Sequence, residues 1–92
     1  MSFEDKLLLG LDNPITQTRM LVIDLVGKKK VNKAADKLCS MLFEERDLYE
    51  LMAVVKALYS IGSRTTLDCL KRRSFSEDVL SGFIKELIKD SF

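Results

Sequence analysis

Residues 47–62 read DLYELMAVVKALYSIG, and this stretch decides the fold. Apolar residues recur at helical spacing on two sides of it, so the helix is apolar most of the way round. Such a helix must be covered from several directions, and this one lies in the middle of the chain. We therefore expect it to be the central helix, with Asp47 and Glu50 forming a capping box at its start and Gly62 ending it.

Helical periodicity also extends outward from the central stretch in both directions. Five breaks divide the chain into six helices. Besides the central one, we expect helices at about 2–10, 14–27, 31–44 and 63–72, and a last helix that is capped by Ser74 or Ser76. Ser2 with Asp5 resembles a capping box, and Asn13 before Pro14 suits a helix start. The connections of two to five residues favour antiparallel neighbours. The sequence predicts an all-α fold of about six short helices arranged as three helical hairpins.

The size and composition fit one small binding domain better than an enzyme. The chain has 92 residues, which predicts a single domain over 1–92, and it carries 15 basic and 14 acidic residues. Histidine is absent, which excludes Ser-His, Cys-His and His-metal chemistry. The paired carboxylates Glu44-Glu45 and Glu77-Asp78 lie at predicted helix ends, and no glycine-rich phosphate loop is present. We expect no catalysis, no cofactor and no metal.

The N-terminal residues and the apolar runs bear on the compartment. The acidic start MSFED lacks the basic and apolar regions of a signal peptide. No uninterrupted apolar stretch approaches the roughly 20 residues that span a bilayer. These features predict a cytoplasmic protein that does not enter a membrane.

Two cysteines, Cys39 and Cys69, lie thirty residues apart. So sparse a pair is not a disulfide framework, and without histidine it does not make a typical zinc site. We interpret both as small apolar residues on buried helix faces, since free cysteine is among the most buried residue types. A disulfide or redox pair is the less favoured alternative.

The chain contains a degenerate internal repeat. Residues 22–27 (VIDLVG) align with residues 57–62 (ALYSIG) at an offset of thirty-five, and each glycine is followed by a short second helix. The last helix fits a third, partial copy. A two-helix unit cannot bury its apolar face alone, so stacked copies would share one continuous core.

These residues resemble the HEAT-like α-α repeats, especially the short repeats of bilin-lyase-type proteins. The ALYSIG segment at 57–62 matches that repeat well, and LDNP at 11–14 followed by VIDLVG matches it more loosely. The resemblance implies an α-α superhelix that acts as a non-catalytic binding scaffold, and it brings no catalytic residue. Another compact helical bundle is the alternative architecture.

A protein-interaction module is the leading functional hypothesis, with a partner held by the second, fourth and sixth helices. Tyrosine is enriched at interface hot spots, and the central helix carries two. The last helix has a wide apolar face, with Phe92 beyond it. Part of this face would pack on the fourth and fifth helices, and an isologous homodimer would cover the remainder. The candidate partner-binding residues are Tyr49, Tyr59, Leu80, Phe83 and Leu87.

The alternative is a small DNA-binding protein in which residues 47–73 form a helix-turn-helix-like segment. Two basic clusters would contact phosphates: Lys28, Lys29 and Lys30 in one, and Arg64, Arg72 and Arg73 in the other. The same clusters also suit solvated helix ends. The net charge of +1 disfavours nucleic acid, because DNA-binding domains usually carry a basic excess.

Overall fold

The computed structural model describes residues 1–90, and every regular element within them is a helix. The all-α prediction is confirmed. Ser91 and Phe92 lie outside the described residues. The α-helices are α1 (Phe3–Gly10), α2 (Thr16–Lys28), α3 (Ala35–Leu42), α4 (Leu48–Ile61), α5 (Arg64–Arg73) and α6 (Val79–Ile88), and a 3-10 turn at Asn32–Ala34 precedes α3.

Several predicted helix ends are confirmed by their hydrogen bonds. The Ser2 hydroxyl accepts from the Asp5 amide at 3.1 Å while the Asp5 carboxylate accepts from the Ser2 amide, so this capping box is complete. Ser63 caps α5. Gly62 ends α4 with a φ of 64°, a left-handed conformation that glycine adopts without steric cost.

Other predicted ends are wrong. Asp78 caps α6 by accepting from the Ser81 amide at 2.8 Å, a role that we expected from Ser74 or Ser76. The Asn13 side chain accepts from the Ile15 amide in a turn, so α2 begins two residues after Pro14. At the other end α2 continues past Gly27 to Lys28, and Lys30 takes the left-handed φ of 51°.

Alternate helices run parallel and pack side by side. Arg19 near the start of α2 meets Glu50 near the start of α4, and near their ends the Ser60 hydroxyl donates to the Gly27 carbonyl at 2.9 Å. Likewise α3 and α5 meet where the Arg73 guanidinium donates to the Leu42 carbonyl at 3.2 Å. The two pairs form two layers, with α1 against α2 and α6 against α4 and α5.

Helix α4 is the centre of the fold, as predicted. It contacts α2, α3, α5 and α6, and its buried apolar residues belong to one core cluster with those of its neighbours. Five such residues come from α4: Leu51, Val54, Val55, Ala57 and Leu58. The apolar character on two sides of this helix thus corresponds to packing from two layers.

Gly27 has a packing role instead of a turn role. A Cβ atom at this position would lie 2.9 Å from the Cα atom of Ala57, which is too close for any other residue without a shift of the helix. The glycine therefore lets α2 and α4 approach closely at their C-terminal halves. None of the helices within residues 1–90 is long and apolar enough to span a membrane.

Candidate functional site

A concave surface lies between α2 and α4, and we call it the α2–α4 groove. It encloses about 620 Å³. Small residues, Gly27, Ala53 and Ala57, allow the two helices to lie close, and larger side chains line the rest. Its larger lining residues are Met20, Met52, Tyr49, Lys28, Lys56 and Asp24.

The groove combines adaptable apolar side chains with positive charge. Met20 and Met52 are flexible and polarizable, so their thioethers can fit surfaces of different shape. Tyr49 is 75% exposed. Lys28 pairs with Asp24 at 3.0 Å, but both are well exposed and such a pair is weak. Lys56 makes no ion pair with another residue of the described chain, which leaves its charge available.

A buried ion cluster lies where α2 and α4 begin. Arg19 donates to the Glu50 carboxylate through Nε at 2.9 Å and Nη2 at 2.8 Å, and Arg46 donates to it at 2.7 Å. Glu50 is only 2% exposed. Arg46 also bridges to Glu44 at 2.9 Å, and Arg19 also donates to the Asn13 carbonyl at 2.8 Å. The cluster ties both helix starts to the turns that precede them.

The predicted capping box of α4 is therefore half wrong. Asp47 does cap the helix, because its carboxylate accepts from the Tyr49 amide at 2.9 Å. Glu50 points its carboxylate at two guanidinium groups instead. The hydrogen bonds from Arg19, and next those from Arg46, hold the pKa of Glu50 below its ordinary value despite its burial. The hydrogen bonds between Arg19 and Glu50 in turn raise the pKa of the Arg19 guanidinium.

The five predicted partner-binding residues do not form one surface. Tyr49 lines the α2–α4 groove, whereas Tyr59, on the same helix, is exposed outside it. Phe83 and Leu87 are half-buried and pack on the core. Leu80 is 2% exposed and belongs to the core, so its assignment to a partner surface is wrong. Its neighbours α4 and α5 cover the face of α6 that carries it.

That coverage also bears on the expected homodimer. Ile84 and Ile88 are buried like Leu80, so most of the apolar face of α6 is covered within the chain. Val79 stays exposed at the start of the helix, and Phe92 lies outside the described residues. The homodimer stays a prediction, and less apolar surface supports it than the sequence pattern indicated.

The six predicted phosphate-contacting residues are scattered. Lys28 lines the α2–α4 groove, Lys29 lies 5.8 Å from the centre of the Phe3 ring, and Lys30 follows in the turn. Arg64 and Arg72 are exposed on α5. These five remain candidates for contact with a phosphate backbone.

Arg73 is the exception, because its guanidinium is occupied by hydrogen bonds to other parts of the fold. Its side chain is 12% exposed and donates to the Leu42 carbonyl, the Ser81 hydroxyl at 2.9 Å and the Asp78 carboxylate at 3.0 Å. The hydrogen bonds that Asp78 accepts from Arg73, and next the one from the Ser81 amide, lower the pKa of Asp78 to about 2. A phosphate role for Arg73 is wrong on these grounds.

The two cysteines form a disulfide, so their interpretation as free thiols is wrong. Cys39 on α3 and Cys69 on α5 are joined with a Cα–Cα distance of 6.0 Å. Their separation of thirty residues matches the parallel packing of alternate helices, which brings equivalent positions of α3 and α5 together. A second concave surface of about 640 Å³, the Cys39 groove, is lined by Asp36, Cys39, Ser40, Phe43, Glu44 and Arg72.

No group of three or more acidic or cysteine side chains within residues 1–90 is placed to hold a metal ion. No family model matches the chain, and neither a curated protein nor a solved structure matches it. The HEAT-like resemblance therefore stays a prediction, and the groove geometry is the basis for a functional proposal.

Proposed function

We propose that this protein is a non-catalytic interaction module that binds an amphipathic helix of a partner protein in the α2–α4 groove. One observation carries the proposal: two methionines and an exposed tyrosine line a concave surface between two parallel helices. Helix-in-groove recognition uses such surfaces, with apolar anchors every three or four residues of the bound helix.

The charges of the groove favour an acidic partner. Two lysines, Lys28 and Lys56, line the groove together with a single carboxylate, that of Asp24. Lys56 has no ionic partner within the described residues. Complementary charge speeds encounter and fixes the register of the bound helix. The partner segment is thus a helix with an apolar stripe flanked by Asp or Glu.

The length of the groove sets the length of the partner. Helix α4 has 14 residues, which corresponds to about 21 Å. The lining residues of α4 run from Tyr49 to Ser60, about 18 Å along the helix axis, so a partner helix of three to four turns would follow the groove. The HEAT-like scaffold that we propose from the sequence agrees with this use, because such arrays bind partners along faces built from equivalent parallel helices.

The two exposed tyrosines of α4 provide a matched test. A fluorescent four-turn peptide with leucines at helical spacing and flanking glutamates would be titrated with the protein and with each variant. We expect Tyr49→Ala to raise the Kd about tenfold, because truncating an interface anchor costs more than about 1 kcal/mol. Tyr59→Ala, outside the groove, should change the Kd by less than about twofold.

The charge argument has its own control in the same titration. A peptide in which lysines replace the flanking glutamates should bind more weakly, because it meets Lys56 with like charge. Equal affinity for both peptides would reject the acidic partner. Equal effects of the two tyrosine substitutions, or no binding of either peptide, would reject the groove as the binding site.

DNA binding is the second candidate, favoured by the exposed basic face of α5. Arg64, Lys71 and Arg72 are exposed on this helix, which follows the Gly62 turn, and Asp68 is the acidic residue among them. If they contact phosphates, duplex DNA should bind at about 50 mM salt and tenfold or more weakly at about 200 mM. Substituting Arg64 and Arg72 by alanine should flatten that salt dependence, and no binding at low salt would reject this candidate.

A further inference from the structure

The two sulfur atoms of the disulfide differ in access. Cys39 is half-buried and lines the Cys39 groove, and its Sγ atom lies 3.5 Å from the guanidinium of Arg72, an exposed residue that lines the same groove. Cys69 is 0% exposed and belongs to the core cluster. Thiol–disulfide exchange needs direct contact between the attacking sulfur and one sulfur of the disulfide. Burial therefore leaves Cys39 as the sulfur that an external thiol can reach.

We propose that the Cys39–Cys69 disulfide is a reversible exchange site at which a low-molecular-weight zwitterionic thiol, of the glutathione type, reacts at Cys39. The product of the first step is a mixed disulfide between that thiol and Cys39. The site is independent of the α2–α4 groove, because α3 and α5 carry it.

The Cys39 groove carries charges of both signs. Arg72 places Nη2 3.5 Å from the Cys39 sulfur, where it attracts both an incoming thiolate and a carboxylate. Asp36 and Glu44 line the same groove and suit an ammonium group, although Glu44 also bridges to Arg46. Phe43 adds an apolar wall. A thiol with both carboxylate and ammonium groups finds partners for each.

The disulfide is reduced in two successive thiolate attacks. The external thiolate donates its electron pair to the Cys39 Sγ atom, the Cys39–Cys69 bond breaks, and the Cys69 sulfur leaves with the bonding pair and takes a proton from water. A second external thiolate then attacks the external sulfur of the mixed disulfide and releases the Cys39 thiolate beside Arg72. Two external thiols are oxidised to their disulfide, and the protein disulfide is reduced by two electrons.

Mapping the first product tests the proposal. The native protein would be treated with millimolar reduced glutathione, quenched with an alkylating reagent at early times, and analysed by peptide mass spectrometry, with circular dichroism to confirm that the helices persist. We expect glutathione on Cys39 and the alkyl group on Cys69. In single variants, oxidised glutathione should modify the remaining thiol of Cys69→Ser and leave that of Cys39→Ser unmodified.

Two arginines of α5 give a matched control for the charge argument. Arg72→Gln should slow exchange with glutathione roughly threefold, the size expected for an exposed charge contact, and Arg64→Gln should leave the rate unchanged. With the uncharged thiol 2-mercaptoethanol, Arg72→Gln should have a smaller effect. Reduction that requires urea, or glutathione appearing on Cys69 as fast as on Cys39, would show a purely structural crosslink and overturn the proposal.

Discussion

Glu50→Ala is expected to lower the free energy of unfolding by about 3–5 kcal/mol, the cost of leaving buried charges without their partner. The carboxylate receives hydrogen bonds from both Arg19 and Arg46 and is 2% exposed. Without it, the half-buried guanidinium groups of Arg19 and Arg46 would face each other, and only Arg46 would keep an anionic partner, Glu44. The Arg46 Nε atom is already buried without a hydrogen-bond partner among the described residues, so losing the carboxylate would leave its Nη1 atom unpaired as well.

A matched control is the exposed ion pair between Glu86 and Lys89 on the last helix. Its distance of 2.7 Å is as short as those in the buried cluster, but both side chains are exposed. Glu86→Ala should therefore change the free energy of unfolding by less than about 1 kcal/mol. Urea denaturation of the two variants measures the difference. Equal destabilisation would mean that burial adds nothing to the Glu50 cluster.

The same cluster predicts a pH dependence. The bonds from Arg19 lower the pKa of Glu50 in the folded protein below its ordinary value of 4.5. Its contribution is therefore present above about pH 4.5 and is lost as the pH falls through the lower pKa of the folded state. Denaturation midpoints of Glu50→Gln should fall less steeply with acid over this window. Some slope should remain, because the pKa values of Asp5 and Asp78 are lowered too.

The sequence predicted what depends on local contacts. A cap is signalled within three or four residues, and the hydrogen bonds of Ser2, Asp47 and Ser63 follow their patterns. The central place of α4 follows from its two-sided apolar character. The predicted cap of α6 failed because a second acceptor lies nearby: the Asp78 carboxylate both accepts from the Ser81 amide and pairs with Arg73.

The contacts that depend on parallel packing of alternate helices could not be predicted from the sequence. Arg19 with Glu50, Arg73 with Leu42 and Cys39 with Cys69 are each thirty or thirty-one residues apart in sequence. Helical periodicity specifies which face is buried but not which distant residue meets it. A charged residue at a buried helical position, such as Glu50, was the one available signal of a partner elsewhere in the chain.

The groove was missed for a related reason. A glycine near a helix end can terminate the helix or permit a close helix contact, and the pattern around Gly27 suited the first role. Only the contact with Ala57 distinguishes the two. The close approach of α2 and α4 leaves Met20 lining a surface groove.

The second large effect is expected for Leu58→Ala, which should lower the free energy of unfolding by about 2–5 kcal/mol. Leu58 is fully buried in the helix that contacts all four neighbours, so the deleted atoms leave a cavity that the surrounding helices fill only in part. Leu48→Ala is the control on the same helix. That leucine is exposed, and its replacement should cost no more than about 0.5 kcal/mol.

Leu58→Ala also separates stability from recognition. Leu58 does not line the α2–α4 groove, whereas Tyr49 does. At a temperature where both variants are folded, Leu58→Ala should lower the urea midpoint and leave the peptide Kd unchanged. Tyr49→Ala should raise the peptide Kd and leave the urea midpoint unchanged. A Leu58→Ala variant as stable as the parent protein would contradict the central placement of α4, because a fully buried leucine of the central helix cannot lose its side chain without cost.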